Sequence, residues 1–348
     1  MRFRWIAETD VPTRQALATS AALYHRLGNI DSPPAWLYGA RLAGDAVVIG
    51  RNQRATDALD VDACAARGVD VVRRATGGPA CVAGHGILYF ALGLRHGSVL
   101  MECPGDRVLN RNVRGFLGGL ALTGARANYF GREWIAVDKR PAALLGWTRD
   151  AEGGVLVEAF LSVDRPYWLP DELSGYPTRE EMTLSAMDPI LMSDVWDEPR
   201  KITDIVRLIA EGHVDRFRDV DFDLDHSSMS DEERQVAAEA AGEMAVGFDQ
   251  AWDSLAWSEV REVPVGFISA GLALDQEGLV EDVRVAGDFY QDEAAPAVLA
   301  KKLVGATPTK DAFTAAVAAA WDGQHRVVEG FKDPAPVVEA LAEAAATC

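Results

Sequence analysis

The segment Val71-Val-Arg-Arg-Ala-Thr-Gly-Gly-Pro-Ala-Cys-Val-Ala-Gly-His-Gly-Ile-Leu-Tyr-Phe-Ala-Leu92 sets paired arginines and a Gly-Gly turn between two apolar, strand-like runs. Arg73 and Arg74 offer planar donor forks suited to phosphate or carboxylate oxygens. Gly77 and Gly78 can take backbone angles closed to other residues and carry no side chain to hold an anion off the main chain. A solvated hairpin turn with two surface arginines is the plainer reading of the same residues. His85, in the loop just past the turn, could contact a bound acyl or nucleotide group or carry a proton near neutral pH. The remaining histidines, His25, His96, His213, His226 and His325, show no metal-like spacing, and no metal site is expected.

The elements that must position these residues can be read on either side of them. Thr13 to Leu27 has Leu17, Ala21 and Tyr24 at helical spacing, with Gly28 as its stop. Trp36 to Leu42 and Ala46 to Gly50 read as an apolar hairpin about the Gly44-Asp45 turn. A helix over Asp60 to Arg67 then leads into the arginine strand. Arg107 to Leu122 is a further helix, followed by strands at Ala125 to Phe130, Glu133 to Val137, Ala142 to Trp147 and Val155 to Val163. Such a meander favours an α+β sheet domain over a Rossmann one, and the GxGxxG fingerprint is absent. Asp164 to Glu181, rich in Pro, Gly, Tyr and Trp, reads as an ordered loop near the site. Helices are expected at Ile202 to Phe217 and Glu232 to Trp252, with the acidic stretch Asp219 to Asp225 between them as a solvated loop. Residues 253 to 263 carry the expected junction between a domain over 1–255 and a smaller one over 256–348.

The 348 residues are 49% hydrophobic, enough for substantial cores. A net charge of −19 opposes non-specific binding to nucleic acid or to an anionic membrane. No apolar run approaches the roughly 20 residues that span a bilayer, and Glu8 and Asp10 interrupt any signal-peptide core, so a cytoplasmic location is expected. Cys64, Cys81, Cys103 and Cys348 form neither a CxxC motif nor a disulfide framework.

In order and spacing, Gly50, Arg51, Gln53, Arg73, Arg74, Thr76, Gly77, Gly78, Ala80, Gly86 and Leu88 resemble the lipoate-protein ligases of the biotin and lipoate ligase superfamily. That family reads hydrophobic-Gly-Arg-x-Gln, a helix, then Arg-Arg-x-Ser/Thr-Gly-Gly-Gly-Ala-Val-x-His-Asp. Here Pro79 replaces the third glycine, Cys81 the valine and Ala83-Gly84 the His-Asp pair. Gly278 to Tyr290, ending in Gly-Asp-Phe before a helix-like run, is similar to the same ligases' small accessory domain. The resemblance implies a catalytic domain of mixed and antiparallel sheets with flanking helices plus a small C-terminal α+β accessory domain.

It also implies chemistry: ATP and magnesium activate lipoate, octanoate or a related acid to an acyl-adenylate, which acylates a lysine of a lipoyl-acceptor domain. Arg73, Arg74, Thr76, Gly77, Gly78, Ala80 and His85 would then frame the acyl-adenylate. The family's essential lysine follows an arginine in a strand pair, and aligning Arg140 with that arginine puts Pro141 at the lysine. Lys139, two residues earlier, would share its face if the strand extends that far, and is the candidate catalytic residue. Some octanoyltransferases of this fold use a cysteine thioester and no ATP, which makes Cys81 a candidate nucleophile, although a small buried hydrophobe is the commoner role for free cysteine. Three readings stay open: an ATP-dependent ligase, an ATP-independent transferase, and a non-catalytic relative that binds an acyl group, an adenylate or a lipoyl domain.

Overall fold

The computed structural model describes residues 1–28, 32–131, 133–177, 189–243, 252, 254–322, 328–329 and 333–348. It opens with a parallel unit of β1 (Arg2–Pro12), α1 (Thr13–His25) and β2 (Ala35–Ala43). β3 (Ala46–Ile49) follows at once but does not fold back on β2. Both sides of β2 are taken, by β1 and by a later strand, so the chain turns through Gly44, at φ 75°, into a second sheet. There Val47 and Ile49 join Ala55, Ala58, Leu59 and Cys64 in a small apolar cluster of their own. The expected hairpin is therefore a connection between sheets.

β3 pairs in parallel with β4 (Asp70–Arg73) through α2 (Ala55–Ala58) and α3 (Val61–Ala66), and antiparallel with β5 (Cys81–Ala83). Asp60 caps α3 by accepting from the Ala63 amide at 2.9 Å. The main sheet continues with β6 (Ile87–Leu94) and, after α4 (Val108–Leu122), with β7 (Ala127–Tyr129), β8 (Trp134–Val137), β9 (Arg140–Arg149) and β10 (Val155–Ser162). After α5 (Ile202–Arg216) come β11 (Asp223–His226) and α6 (Asp231–Glu243). The eight strands lie in the order β11-β1-β2-β6-β10-β9-β8-β7, parallel at the β11 end and antiparallel beyond β2.

β11 corrects the expectation of a solvated loop. Val220, Phe222 and Leu224 pack on the main core while aspartates alternate with them, and Arg2 meets Asp225 at 2.6 Å. The period-2 pattern outweighs the charge. Residues 178–181 of the expected site loop and 244–251 of the expected last helix lie outside the described residues.

Alternation along β6 divides the main sheet's two faces. Leu88, Phe90, Leu92 and Leu94 join the core that includes α4 and α5, whereas Ile87, Tyr89 and Ala91 join the one that includes α1. α4 and α5 cross closely because Gly115, Gly118 and Gly119 meet Gly212; a Cβ on Gly119 would lie 2.3 Å from the Ile209 Cα.

His213 fills this crossing. Its ring is buried between Phe3 and Phe116, at 5.5 and 5.6 Å, and its Nδ1 lies 2.9 Å from the Ile209 carbonyl oxygen. Burial pulls its pKa from 6.5 to about 4. Between those values the unfolded chain takes up a proton that the folded chain refuses. Stability from this group is therefore complete above pH 6.5 and falls by about 3 kcal/mol as the pH drops towards 4. As the pH falls from 7 to 4.5 the protein should lose stability relative to His213→Phe, read from denaturant midpoints, because the imidazole increasingly penalises the folded state; parallel pH profiles would refute this.

The chain from Ala256 builds a separate sheet. β14 (Gly266–Leu274) pairs with β12 (Ala256–Trp257) and β13 (Arg261–Val263) in succession and with β15 (Val280–Gly287). β16 (Tyr290–Gln291) leads to α7 (Ala295–Leu303) and α8 (Lys310–Ala320), pairs with β17 (Val328–Glu329), and α9 (Ala335–Thr347) closes the chain against β14. Among the described residues no helix is long and apolar enough to cross a membrane.

Candidate ligand site

The Gly-Gly turn is held from three sides. Gly78 sits at φ 105°, and a Cβ on Gly50 would lie 2.1 Å from the Gly78 carbonyl oxygen, so both positions need glycine. The main-chain amides face protein acceptors: Gly77 donates to the Trp147 carbonyl at 3.2 Å and Gly78 to the Phe289 carbonyl at 3.3 Å. Pro79 has no N–H to give. Tyr290 completes the enclosure, donating from its hydroxyl to the Leu145 carbonyl at 3.1 Å. The Gly-Asp-Phe segment thus lies directly on the turn.

Both arginines are turned inward. Arg73 Nη1 donates to the carbonyls of Gly50, Arg51 and Gln53, the last at 2.5 Å. Arg74 is buried, donating from Nε to Thr76 Oγ1 at 3.1 Å and from Nη2 to the carbonyls of Gly77 and Pro79 at 3.0 and 2.9 Å. Arg51 pairs with Glu293 at 2.6 Å. Most of these donors are therefore spent on the protein's own oxygens, while Arg74 Nη1 is buried with no hydrogen-bond partner among the described residues.

Beneath the turn lies a buried polar cluster that no motif announces. Glu158, on β10 and fully buried, accepts from the Thr76 hydroxyl and the Tyr89 hydroxyl, with Ser20 Oγ 3.3 Å away. Thr76 links this carboxyl group to Arg74, so the carboxyl and the guanidinium share one hydroxyl. Burial and the adjacent Glu158 hold the Tyr89 phenol well above its ordinary range.

Beside the turn opens a cavity of about 300 Å³. Pro79, Ala80, Leu144, Tyr167, Trp168 and Phe267 give it an apolar lining, while Gln53, Glu133 and Asp288 add polar groups. Gln53 donates to Asp288 at 2.6 Å, and Asp288 also accepts from the Phe267 amide at 2.9 Å. Tyr176 stacks on Phe267 at 4.7 Å. The Tyr167 hydroxyl is buried with no hydrogen-bond partner among the described residues. The loop after Asp164 thus supplies much of the wall, as its composition suggested.

Of the candidates, Arg73, Arg74, Thr76, Gly77, Gly78, Ala80 and Cys81 come together; Lys139 and His85 do not join them. Lys139 is exposed, at φ 67° after Asp138 at φ 49°, in the two-residue turn between β8 and β9. The strand argument that would bring it onto the face of Pro141 fails there, because β9 begins at Arg140. His85 is exposed beyond the end of β5, with Nδ1 3.7 Å from Asp45, which pairs with Arg165 at 2.8 Å. Cys81 is fully buried on β5, and burial pushes its thiol up to about 12 despite the nearby Arg74 charge, which makes it a core side chain and a poor nucleophile. Among the described residues no group of three His, Cys, Asp or Glu side chains is placed to hold a metal ion.

Residues 12–138 match the family model of the lipoyl protein ligase A/B catalytic domain. Solved ligases share the fold of the lipoyl-ligase domain and what surrounds it. LipL1 of P. falciparum, in complex with lipoate, aligns at a TM-score of 0.63 with 12% identity over 82% of this chain and 85% of its own. The bi-partite lipoate protein ligase of Thermoplasma acidophilum, studied with its E2 lipoyl domain, gives 0.56 and 18% over 70% and 92%. A lipoate-protein ligase A bound with ATP gives 0.54 and 20% over 70% and 95%. No curated protein sequence gives a significant match. The chain thus has an α+β lipoate-ligase fold, with a lipoyl-ligase catalytic-type domain as its core.

Proposed function

We propose that this protein is a repurposed relative of the lipoate ligases that binds a short acyl group of the lipoate or octanoate class in the cavity beside Ala80. The unpartnered Tyr167 hydroxyl carries this reading: a buried donor on an apolar wall is satisfied when a ligand brings a carbonyl or carboxyl oxygen. The volume of about 300 Å³ falls at the lower end of ligand sites, which span roughly 300–1,000 Å³, and suits a short chain better than a chain joined to a nucleotide. Binding of lipoate by LipL1 supports the choice of ligand.

ATP-dependent activation has a structural neighbour in its favour, the ligase bound with ATP. The described residues fit that chemistry poorly. Apart from Arg74 Nη1, the donors seen on the motif's arginines and glycine amides face protein oxygens, and no lysine among the described residues lines the cavity. We derive no adenylation step from them. A lipoyl domain, as studied with the Thermoplasma acidophilum ligase, is the partner class that this reading retains.

Calorimetric titration with lipoate and octanoate, run beside a pyrophosphate-release assay with ATP and magnesium, tests the proposal. Saturable binding without release is the expected result; release that depends on the acid would make the chain a ligase. Lys139→Ala should leave binding within about twofold, as for exposed substitutions outside a site. A larger loss would bring Lys139 back into the mechanism.

A further inference from the structure

A second cleft, of about 370 Å³, lies where the start of β7 meets α4 and the end of α5. Arg114, Arg126 and Arg216 surround it, with Leu117, Ala121 and Ala125 in the wall. All three arginines are exposed, and none has an ion-pair partner among the described residues. Asp215, next to Arg216 in sequence, is taken by Arg218 at 2.7 Å. The chain carries a net charge of −19, and Arg2, Arg4, Arg14, Arg51 and Arg149 each face a carboxylate, whereas these three cations share one cleft with no ion pair among the described residues.

We propose that this cleft docks an acidic, partly apolar segment of a partner protein, with carboxylates on the three arginines and apolar side chains against Leu117 and Ala121. Charge complementarity selects the occupant. A concentrated positive patch on a negative molecule steers and orients an acidic surface, while the rest of the protein repels it. These apolar groups add contact area that a free anion or a phosphate backbone would leave unused. The site lies apart from the acyl cavity and shares no lining residue with it.

The test is fluorescence anisotropy with a labelled peptide of alternating glutamate and leucine, and with its glutamine counterpart as control. The protein should bind the glutamate peptide, lose binding as salt rises, and ignore the glutamine peptide. Arg114→Glu with Arg126→Glu and Arg216→Glu should weaken binding by at least about tenfold, with circular dichroism unchanged. Should the triple variant misfold, Arg126→Gln, a single exposed change, must still weaken binding measurably. Unchanged affinity in a folded variant, equal binding of both peptides, or tighter binding of a single-stranded oligonucleotide would overturn the proposal. So would self-association in sedimentation that disappears in the triple variant, since the occupant would then be a second copy.

Discussion

Glu158→Ala is expected to lower unfolding stability by about 2–5 kcal/mol, the cost of leaving two buried hydroxyl donors without their acceptor. The carboxyl group is the common acceptor for the Thr76 and Tyr89 hydroxyls and lies within reach of Ser20. Its loss also leaves the Thr76 hydroxyl, which accepts from the buried Arg74, without its own acceptor. Glu158→Gln keeps the shape and part of the hydrogen bonding, and should cost clearly less than alanine. Tyr89→Phe removes a single donor and should cost about 1 kcal/mol. Glu158→Met separates lost volume from lost polarity: if it is as stable as the parent, the penalty of alanine is a cavity and the cluster contributes little. Equilibrium unfolding in guanidinium orders the four proteins, and an alanine variant within about 1 kcal/mol of the parent would show the cluster to be dispensable.

The cluster also shows where sequence reasoning reaches its limit. Arg73, Arg74, Thr76, Gly77 and Gly78 could be picked out by residue type and spacing, and they do converge. Their employment could not be read, because it depends on carbonyls of Gly50, Gln53 and Phe289 that arrive from other parts of the chain. Glu158 had a faint signal, a lone acid in the apolar run Val155-Leu-Val-Glu-Ala-Phe-Leu161, which folding tolerates only with partners. The apolar hairpin at Gly44-Asp45 failed for a related reason: both strands exist, but β1 and β6 occupy the flanks of β2. Lys139 could be placed on a strand face only by assuming that the strand extends past Arg140, and two consecutive residues at positive φ end it there. Local pattern therefore identified elements and the neighbourhood of the site, while long-range pairing decided which groups stay available to a ligand.

Tyr167→Phe should weaken acyl binding by roughly 5- to 30-fold, the equivalent of about 1–2 kcal/mol for one hydrogen bond in a dry site, without lowering the stability of the free protein. The two effects separate because the hydroxyl has no partner among the described residues, so its removal costs none of the hydrogen bonds seen there and relieves the burial of a polar group. A merely structural tyrosine would behave in the opposite way, with stability lost and affinity untouched. Ala80→Phe acts on volume instead. Ala80 lines the cavity and is partly buried, so a phenyl group in place of a β-hydrogen projects into a space of about 300 Å³ that an acyl chain must share. Binding of octanoate or lipoate should fall by at least about a hundredfold, since overlap of ligand and side chain forces one of them off a low-energy conformation. Titration of both variants alongside their unfolding curves decides the matter. If Ala80→Phe binds octanoate as well as the parent does, the acyl group lies elsewhere, and the cavity beside the Gly-Gly turn is a remnant of the ligase site with no ligand of its own.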